Sequence, residues 1–152
     1  MTEVSGTILG FDFGLARTGV AVGETSTGSA HPLDTIHTTS KDERFARIAA
    51  FIREWQPVAL VVGLPVHADG TAHEMTRMAR NFAIRLKRRA PTLPIFMVDE
   101  RHTSLIADAQ IHEMGIYGKR GKMARDQLAA LQIMQTFLDS GGIALESLDQ
   151  QE

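Results

Sequence analysis

Residues 7–23, TILGFDFGLARTGVAVG, decide the fold of this 152-residue chain. Thr7–Phe13 is an apolar run that contains one acid, Asp12, and Thr18–Gly23 is a second apolar run that follows a short turn. Two such runs separated by a few turn residues predict antiparallel strands joined by a hairpin. A third, weaker strand is predicted within Ala30–Thr38. The chain therefore begins with a three-stranded antiparallel meander.

Helices and strands alternate after this meander. Ser40–Glu43 has the S-x-x-E form of a capping box, and it opens an amphipathic helix predicted over 41–55. The apolar runs Val58–Val62 and Pro94–Val98 predict strands that are covered on both faces. Further helices are predicted over about 71–90, 103–114 and 123–138. This order predicts an α/β fold with a mixed five-stranded sheet and helices on both faces.

The length and composition are those of a single globular domain, 1–152, with a core over about 7–139. The chain has no Cys, which excludes disulfides, thiolate metal sites and a cysteine nucleophile. It has no apolar run near the roughly 20 residues that a membrane span requires, and its first residues do not resemble a signal peptide. We therefore expect a cytoplasmic protein without a membrane partner. The acidic tail over 140–152 is predicted to be flexible.

The charge is unevenly distributed along the chain, although the net charge is only −2. Residues 75–125 carry 11 Lys and Arg against four Asp and Glu, whereas residues 126–152 carry five acids and no Lys or Arg. Such a basic segment is typical either of a surface that binds a polyanion or of an ordinary solvated face. Within it, residues 115–122 are rich in Gly and basic residues, which predicts a mobile loop. Its candidate contacts to a polyanion are Tyr117, Lys119, Arg120 and Lys122.

Three acidic positions are unfavourable for folding. Asp12 interrupts an apolar strand, where Asp has a low β propensity. Asp99 and Glu100 place two like charges at the end of another buried strand. Asp126 is spaced to share the apolar face of the last helix with Ala130. An inward carboxylate needs a partner, because burying an unpaired one is costly.

Each acid also has a purely structural interpretation. Asp12 could cap the turn after its strand. Asp99 or Glu100 could pair with Arg101 or cap the following helix, and Asp126 could oppose the helix dipole. Taken together these interpretations weaken, because the two strand ends and the start of the last helix can meet at one edge of a mixed sheet. Three carboxylates that converge there without His or Cys suit Mg²⁺ or Mn²⁺, which take oxygen ligands. Two such ions would stabilise the attacking water and the leaving oxygen of a phosphodiester.

Four motifs follow one another along the chain: Phe11–Gly14 with Thr18–Gly23, Val61–Pro65 with Asp69–Thr71, Val98–Arg101 with Thr103, and Lys122–Ala130. Together they resemble the motifs of the YqgF/RuvX family, which comprises pre-16S rRNA nucleases that are also described as Holliday junction resolvases. The resemblance covers about residues 7–139. It implies an RNase H-like fold and metal-dependent hydrolysis of phosphodiester bonds, either at the 5′ end of precursor small-subunit rRNA or in branched DNA.

The resemblance also implies roles for individual residues. Asp12, Glu100 and Asp126 would form a catalytic, metal-binding triad, with Mg²⁺ or Mn²⁺ as the cofactor. Asp99 is the alternative to Glu100, because neighbouring residues of a strand point to opposite sides. The implied nucleic-acid-binding residues are Arg101, Thr103, Tyr117, Lys119, Arg120, Lys122 and Arg125.

Two other functions fit parts of the sequence. A non-catalytic RNA-binding factor of ribosome assembly would use the basic residues of 77–89 and 117–125 and would give the acids structural roles. A sugar-kinase-like or actin-like ATPase also begins with D-x-G followed by T-G, but it needs two domains of this size, and the chain supplies one. A nuclease is therefore the leading hypothesis, with RNA and DNA both open as its substrate.

Overall fold

The computed structural model describes residues 4–65, 73–100 and 118–148, and it describes side chains in 4–65, 73–100 and 127–148. The strands are β1 (Thr7–Asp12), β2 (Arg17–Glu24), β3 (Ser29–His37), β4 (Ala59–Leu64), β5 (Ile95–Asp99) and β6 (Ile143–Ala144). The helices are α1 (Lys41–Trp55), α2 (Glu74–Arg89), α3 (Gly118–Ser140) and α4 (Leu145–Leu148).

All six strands form one mixed sheet in the order β3-β2-β1-β4-β5-β6. The first three strands form the expected antiparallel meander, and β1, β4 and β5 are parallel neighbours. The prediction of five strands was wrong, because β6 pairs antiparallel with β5. This strand has two residues, too few to show a pattern, and it lies in the tail that was expected to be flexible. Leu145, which follows it, is only 6% exposed.

The two faces of the sheet carry separate hydrophobic cores. On one face, the side chains of α1 and α2, including Phe45 and Phe82, pack against residues such as Phe11. On the other face, α3 packs through Ile133 and Met134 against the alternate strand residues. The chain therefore forms a three-layer α/β arrangement, in which neighbouring residues of a central strand face different helices.

The helix starts show where the sequence signals were sufficient. The Ser40 hydroxyl accepts a hydrogen bond of 3.2 Å from the backbone N–H of Glu43, which confirms the predicted start of α1. In contrast, α2 begins at Glu74, not at 71, and its cap is His73. The imidazole Nδ1 of His73 accepts a hydrogen bond of 3.2 Å from the N–H of Met75.

The last long helix begins earlier than expected. Because α3 starts at Gly118, the loop predicted over 115–122 is wrong from residue 118 onward. The glycines at 118 and 121 suggested a loop, but neither prevents the helix. The helix predicted over 103–114 lies outside the described residues. Within the described part of the chain, no helix is both long and apolar enough to cross a membrane.

Candidate active site

Asp12 and Glu100 lie on the same face and at the same edge of the sheet. Phe11 of β1 is level with Val62 of β4, so Asp12 is level with Gly63. Gly63 is in turn level with Val98 of β5, which packs under α3. Because side chains alternate along a strand, Glu100 faces the same side as Val98. The carboxyl ends of three parallel strands thus bring together two acids that are 88 positions apart in the sequence.

The side chains of Asp12 and Glu100 form a hydrogen bond with each other. Two carboxyl groups can share such a bond only when one of them carries a proton. The pKa of Glu100 is raised well above its ordinary value, first by burial, then by the charge of Asp12, this hydrogen bond, and the charge of Asp99. Below that raised pKa, Glu100 carries the proton of this bond and Asp12 accepts it.

Gly63 provides the space that the Glu100 carboxyl occupies. A Cβ on Gly63 would lie 2.6 Å from Glu100 Cδ and 2.8 Å from Glu100 Oε2. It would also lie 2.4 Å from Ile133 Cδ1 of α3. A side chain at position 63 would therefore have to displace the Glu100 carboxyl group and the end of the Ile133 side chain. The sequence did carry this signal, since a glycine inside an apolar strand often marks a close approach.

Asp99 lies on the opposite face from Glu100. It follows Ile95 and Met97 at alternate positions of β5, and both of these belong to the core under α1 and α2. Its side chain is exposed. Between the two neighbouring acids left open by the sequence, the geometry therefore favours Glu100 as the partner of Asp12.

The backbone of α3 brings position 126 toward this edge. The Ala130 carbonyl oxygen lies 3.9 Å from the position of a Cβ on Gly10, two residues before Asp12. Further along α3, Phe137 contacts Phe96 near the start of β5, with ring centroids 5.2 Å apart. The helix thus runs antiparallel to β1, and Asp126 lies one turn, or about 6 Å, beyond Ala130 in the direction of Asp12. Its side chain is outside the described set.

The predicted nucleic-acid-binding residues fall mainly outside the described side chains. Arg101, Thr103 and Tyr117 lie in the undescribed segment. The helical backbone of α3 includes the remaining positions, Lys119, Arg120, Lys122 and Arg125. No cluster of three His, Cys, Asp or Glu occurs among the described side chains, a set that excludes Asp126. The roles of these residues stay predictions.

The raised pKa of Glu100 predicts how stability depends on pH in the metal-free protein. Above the ordinary pKa of 4.5, the folded protein retains a proton that the unfolded chain releases. The free energy of unfolding should therefore fall as the pH rises from about 4.5 through the raised pKa, and level off above it. Glu100→Gln removes this titration. At pH 8 in a chelator, the melting temperature of the variant should therefore exceed that of the wild type, by roughly 2–4 °C for each ~1 kcal/mol of destabilisation that is removed.

Thermal melts from pH 5 to pH 8 test this prediction. The matched control is Glu54→Gln, which replaces an exposed carboxyl of α1 and should follow the wild-type curve. Parallel curves for wild type and Glu100→Gln across the whole range would contradict the prediction.

Comparisons with known proteins give matches over most of the chain. Residues 6–140 match the family model described as "RuvX: Holliday junction resolvase". A protein of Dechloromonas aromatica named "Putative pre-16S rRNA nuclease" is 55% identical over 135 residues, which are 89% of this chain and 92% of that protein. One of the same name from Thiobacillus denitrificans is 50% identical over 138 residues, 91% and 94% of the two chains.

Solved structures share the fold at low sequence identity. Thermus thermophilus RuvC in complex with a Holliday junction substrate has a TM-score of 0.56 at 16% identity, and the match covers 91% of this chain and 99% of that one. The Fowlpox virus resolvase in complex with Holliday junction DNA has a TM-score of 0.56 at 8% identity, with 88% and 97% covered. At such identities the likeness concerns the fold alone, and it matches the RNase H-like expectation.

Proposed function

The chain belongs to the RuvX family, and on that premise we propose that it is a divalent-cation-dependent nuclease that processes the 5′ end of pre-16S rRNA. One observation carries the chemical part of this proposal. Asp12 and Glu100 are held in hydrogen-bond contact at the carboxyl edge of the sheet, at the cost of a raised pKa. An arrangement of like charges that opposes folding is typical of a site retained for function. The rRNA substrate is supported by the names of the relatives.

The donor set fits a hard divalent cation. In their ionised forms Asp12 and Glu100 supply only oxygen atoms, and these are the ligands that Mg²⁺ and Mn²⁺ take. We assign Asp126 as the third ligand, because its helix position lies above the same edge. When bound, the cation would activate water and neutralise charge on the phosphodiester. Binding of the cation would displace the proton that Asp12 and Glu100 share. The fraction of protein that holds a cation should therefore increase with pH.

The residues of the chain itself supply positioning. Asp12 comes from a central strand, and Glu100 is fixed against Gly63, so neither carboxyl depends on a long flexible connection. We assign phosphate contacts to Arg101, Thr103 and the basic positions at the start of α3, with Tyr117 stacking on a base. These contacts would hold the scissile phosphate against the acids, which is the contribution that binding makes to phosphoryl-group chemistry.

A second candidate function is the resolution of branched DNA. It is favoured by the description of the matching family as a Holliday junction resolvase. A third alternative is a non-catalytic RNA-binding factor of ribosome assembly, which would bind RNA without cleaving it. We propose a cytoplasmic location, where precursor rRNA is processed in bacteria.

Cleavage should depend entirely on a divalent cation. Purified protein with Mg²⁺ or Mn²⁺ should shorten a precursor rRNA fragment, and excess chelator should abolish the reaction until the cation is restored. The measurement is a gel assay on four substrates: the precursor fragment, single-stranded RNA, duplex DNA and a four-way DNA junction. Preferential cleavage of the junction would favour the resolvase, and binding of RNA without cleavage would favour the assembly factor. Undiminished cleavage in chelator would contradict metal dependence.

A further inference from the structure

A cavity of about 210 Å³ lies at the same edge of the sheet as Asp12, but on the opposite face. Its walls come from the β1–β2 hairpin and from the parts of α1 and α2 that lie near this edge. Phe13, the residue directly after Asp12, forms part of the wall. Phe13 belongs to the core under α1 and α2, so these two adjacent residues face opposite sides of the sheet.

The charge of this cavity is entirely positive. Its charged lining residues are Lys41, Arg44 and Arg85, and no acid is among the lining residues in the described part of the chain. Lys41 and Arg85 are exposed at its mouth. Within the part of the chain that the structure describes, α1 forms one ion pair. It joins Arg47 to Asp34, and neither residue lines the cavity. Among the described side chains, none of these three cations is recorded in an ion pair.

Arg44 is the most unusual of these cations, because it is only 3% exposed. Its Nη2 donates hydrogen bonds to the Leu15 carbonyl at 2.8 Å and to the Thr38 carbonyl at 3.3 Å. Its Nε is buried without a hydrogen-bond partner. The guanidinium carbon also lies 5.1 Å from the ring centroid of Phe13. A guanidinium held in this way stays charged, and holding it away from water without a carboxylate opposes folding.

The rest of the lining suits a nucleotide. Phe13 stacks on Phe82 with ring centroids 4.8 Å apart, and Phe45 stacks on the same ring at 5.6 Å. Leu15 is 53% exposed beside these rings, and it adds an apolar side chain at the mouth. The exposed Lys41 and Arg85 can bind phosphate through charge-assisted hydrogen bonds. The partly exposed Phe13 and Leu15 provide an apolar surface that can accept a base. The volume is below that of a pocket for a drug-sized ligand, so it suits one phosphate and part of its nucleotide.

We propose that this cavity is a phosphate subsite for the nucleic-acid strand that is cleaved at Asp12 and Glu100. The inference rests on the proposed nuclease function and deepens it, since it specifies where the strand runs. Because Asp12 and Phe13 are consecutive, with Cα atoms ~3.8 Å apart, a strand that crosses the β1–β2 hairpin can occupy both sites within a few nucleotides. The subsite would fix the register of the strand relative to the acids.

The test compares two variants that each lose two positive charges. Lys41→Gln/Arg85→Gln removes exposed cations of the cavity and leaves Arg44, which also ties the hairpin to α1. Arg47→Gln/Arg53→Gln is the control, because it removes two exposed cations of α1 outside the cavity. Both pairs are made in Asp12→Asn protein and studied in chelator, so binding is measured without cleavage.

Fluorescence anisotropy with a labelled 12-nucleotide single-stranded RNA gives the affinity. We expect the cavity variant to bind about tenfold more weakly at 0.1 M salt. The slope of log K against log salt concentration should become less steep by about 0.7–1.4, which is the change for one or two lost phosphate contacts. The control should change less than twofold. Equal losses in both variants, or no loss in either, would overturn the proposal.

A second measurement locates the bound group and identifies its source. Met78 lines the cavity, so its ¹³C-labelled methyl resonance, assigned with Met78→Leu, reports occupancy. The RNA should shift this resonance, and the cavity variant should lose the shift. If inorganic phosphate shifts it and RNA does not, the cavity takes free phosphate and the strand subsite is overturned. Because neither measurement requires cleavage, an inactive wild type would contradict the proposed function and leave this result interpretable.

Discussion

Replacing Asp12 by Asn is expected to reduce cleavage of the precursor rRNA by about 10³-fold or more, while the protein stays folded. Loss of one preorganised electrostatic contact in an active site costs about 10²–10³ in rate, and this substitution also removes a charged ligand of the proposed cation. The fold should persist because Asn has the same shape and can still accept the hydrogen bond from Glu100. The measurement is the single-turnover rate in Mg²⁺, together with the melting temperature.

Two neighbouring acids provide the comparison for this result. Glu100→Gln should lose activity to a similar degree, because Glu100 shares the face of Asp12 and contacts it. Asp99→Asn should retain most of the activity, because Asp99 lies on the other face of the sheet. The opposite ranking of Glu100→Gln and Asp99→Asn would show that the wrong acid has been assigned.

Replacing Gly63 by Ala should lower the activity about 10²-fold without altering any acid. The added Cβ would lie 2.6 Å from Glu100 Cδ and 2.4 Å from Ile133 Cδ1, so both groups must move. Displacement of a catalytic group by about 1 Å can cost about 10²-fold in rate, and overpacking of a core costs about 1–3 kcal/mol. We expect a loss of about 10²-fold in kcat/KM together with a lower melting temperature.

The matched control for this substitution is Gly10→Ala. A Cβ on Gly10 would lie 2.9 Å from Met134 Cε, the far end of a flexible side chain, and Gly10 lies under the same helix. This variant should therefore lose some stability but keep most of its activity per folded molecule. Equal losses of activity in both variants would mean that loosening of α3, and not displacement of Glu100, causes the defect.

The sequence predicted the parts of this site that depend on local patterns. The two apolar runs around Asp12 located β1 and β2, and the parallel strands followed from Val58–Val62 and Pro94–Val98. The choice between Asp99 and Glu100 could not be made in this way, because it depends on which face of β5 meets α3. That register is set by pairing with β4, which is a contact between residues more than 30 positions apart.

Other features were missed for identifiable physical reasons. Two residues of β6 are too few to show alternation, so only their pairing with β5 reveals them as a strand. Arg44 carried a weak signal, because it precedes Ile48 by four residues and therefore lies on the apolar face of α1. That spacing could have indicated a buried cation. Its position in a positively charged cavity depends on α2 and the β1–β2 hairpin, and no local pattern contains that information.

Anomalous diffraction from crystals equilibrated with Mn²⁺ tests the central claim most directly. The account predicts a strong manganese peak at the carboxyl edge of the sheet, bound by oxygen atoms of Asp12, Glu100 and Asp126, and its disappearance in Asp12→Asn crystals. A manganese peak elsewhere, or an intact Asp12–Glu100 hydrogen bond at saturating Mn²⁺, would contradict it.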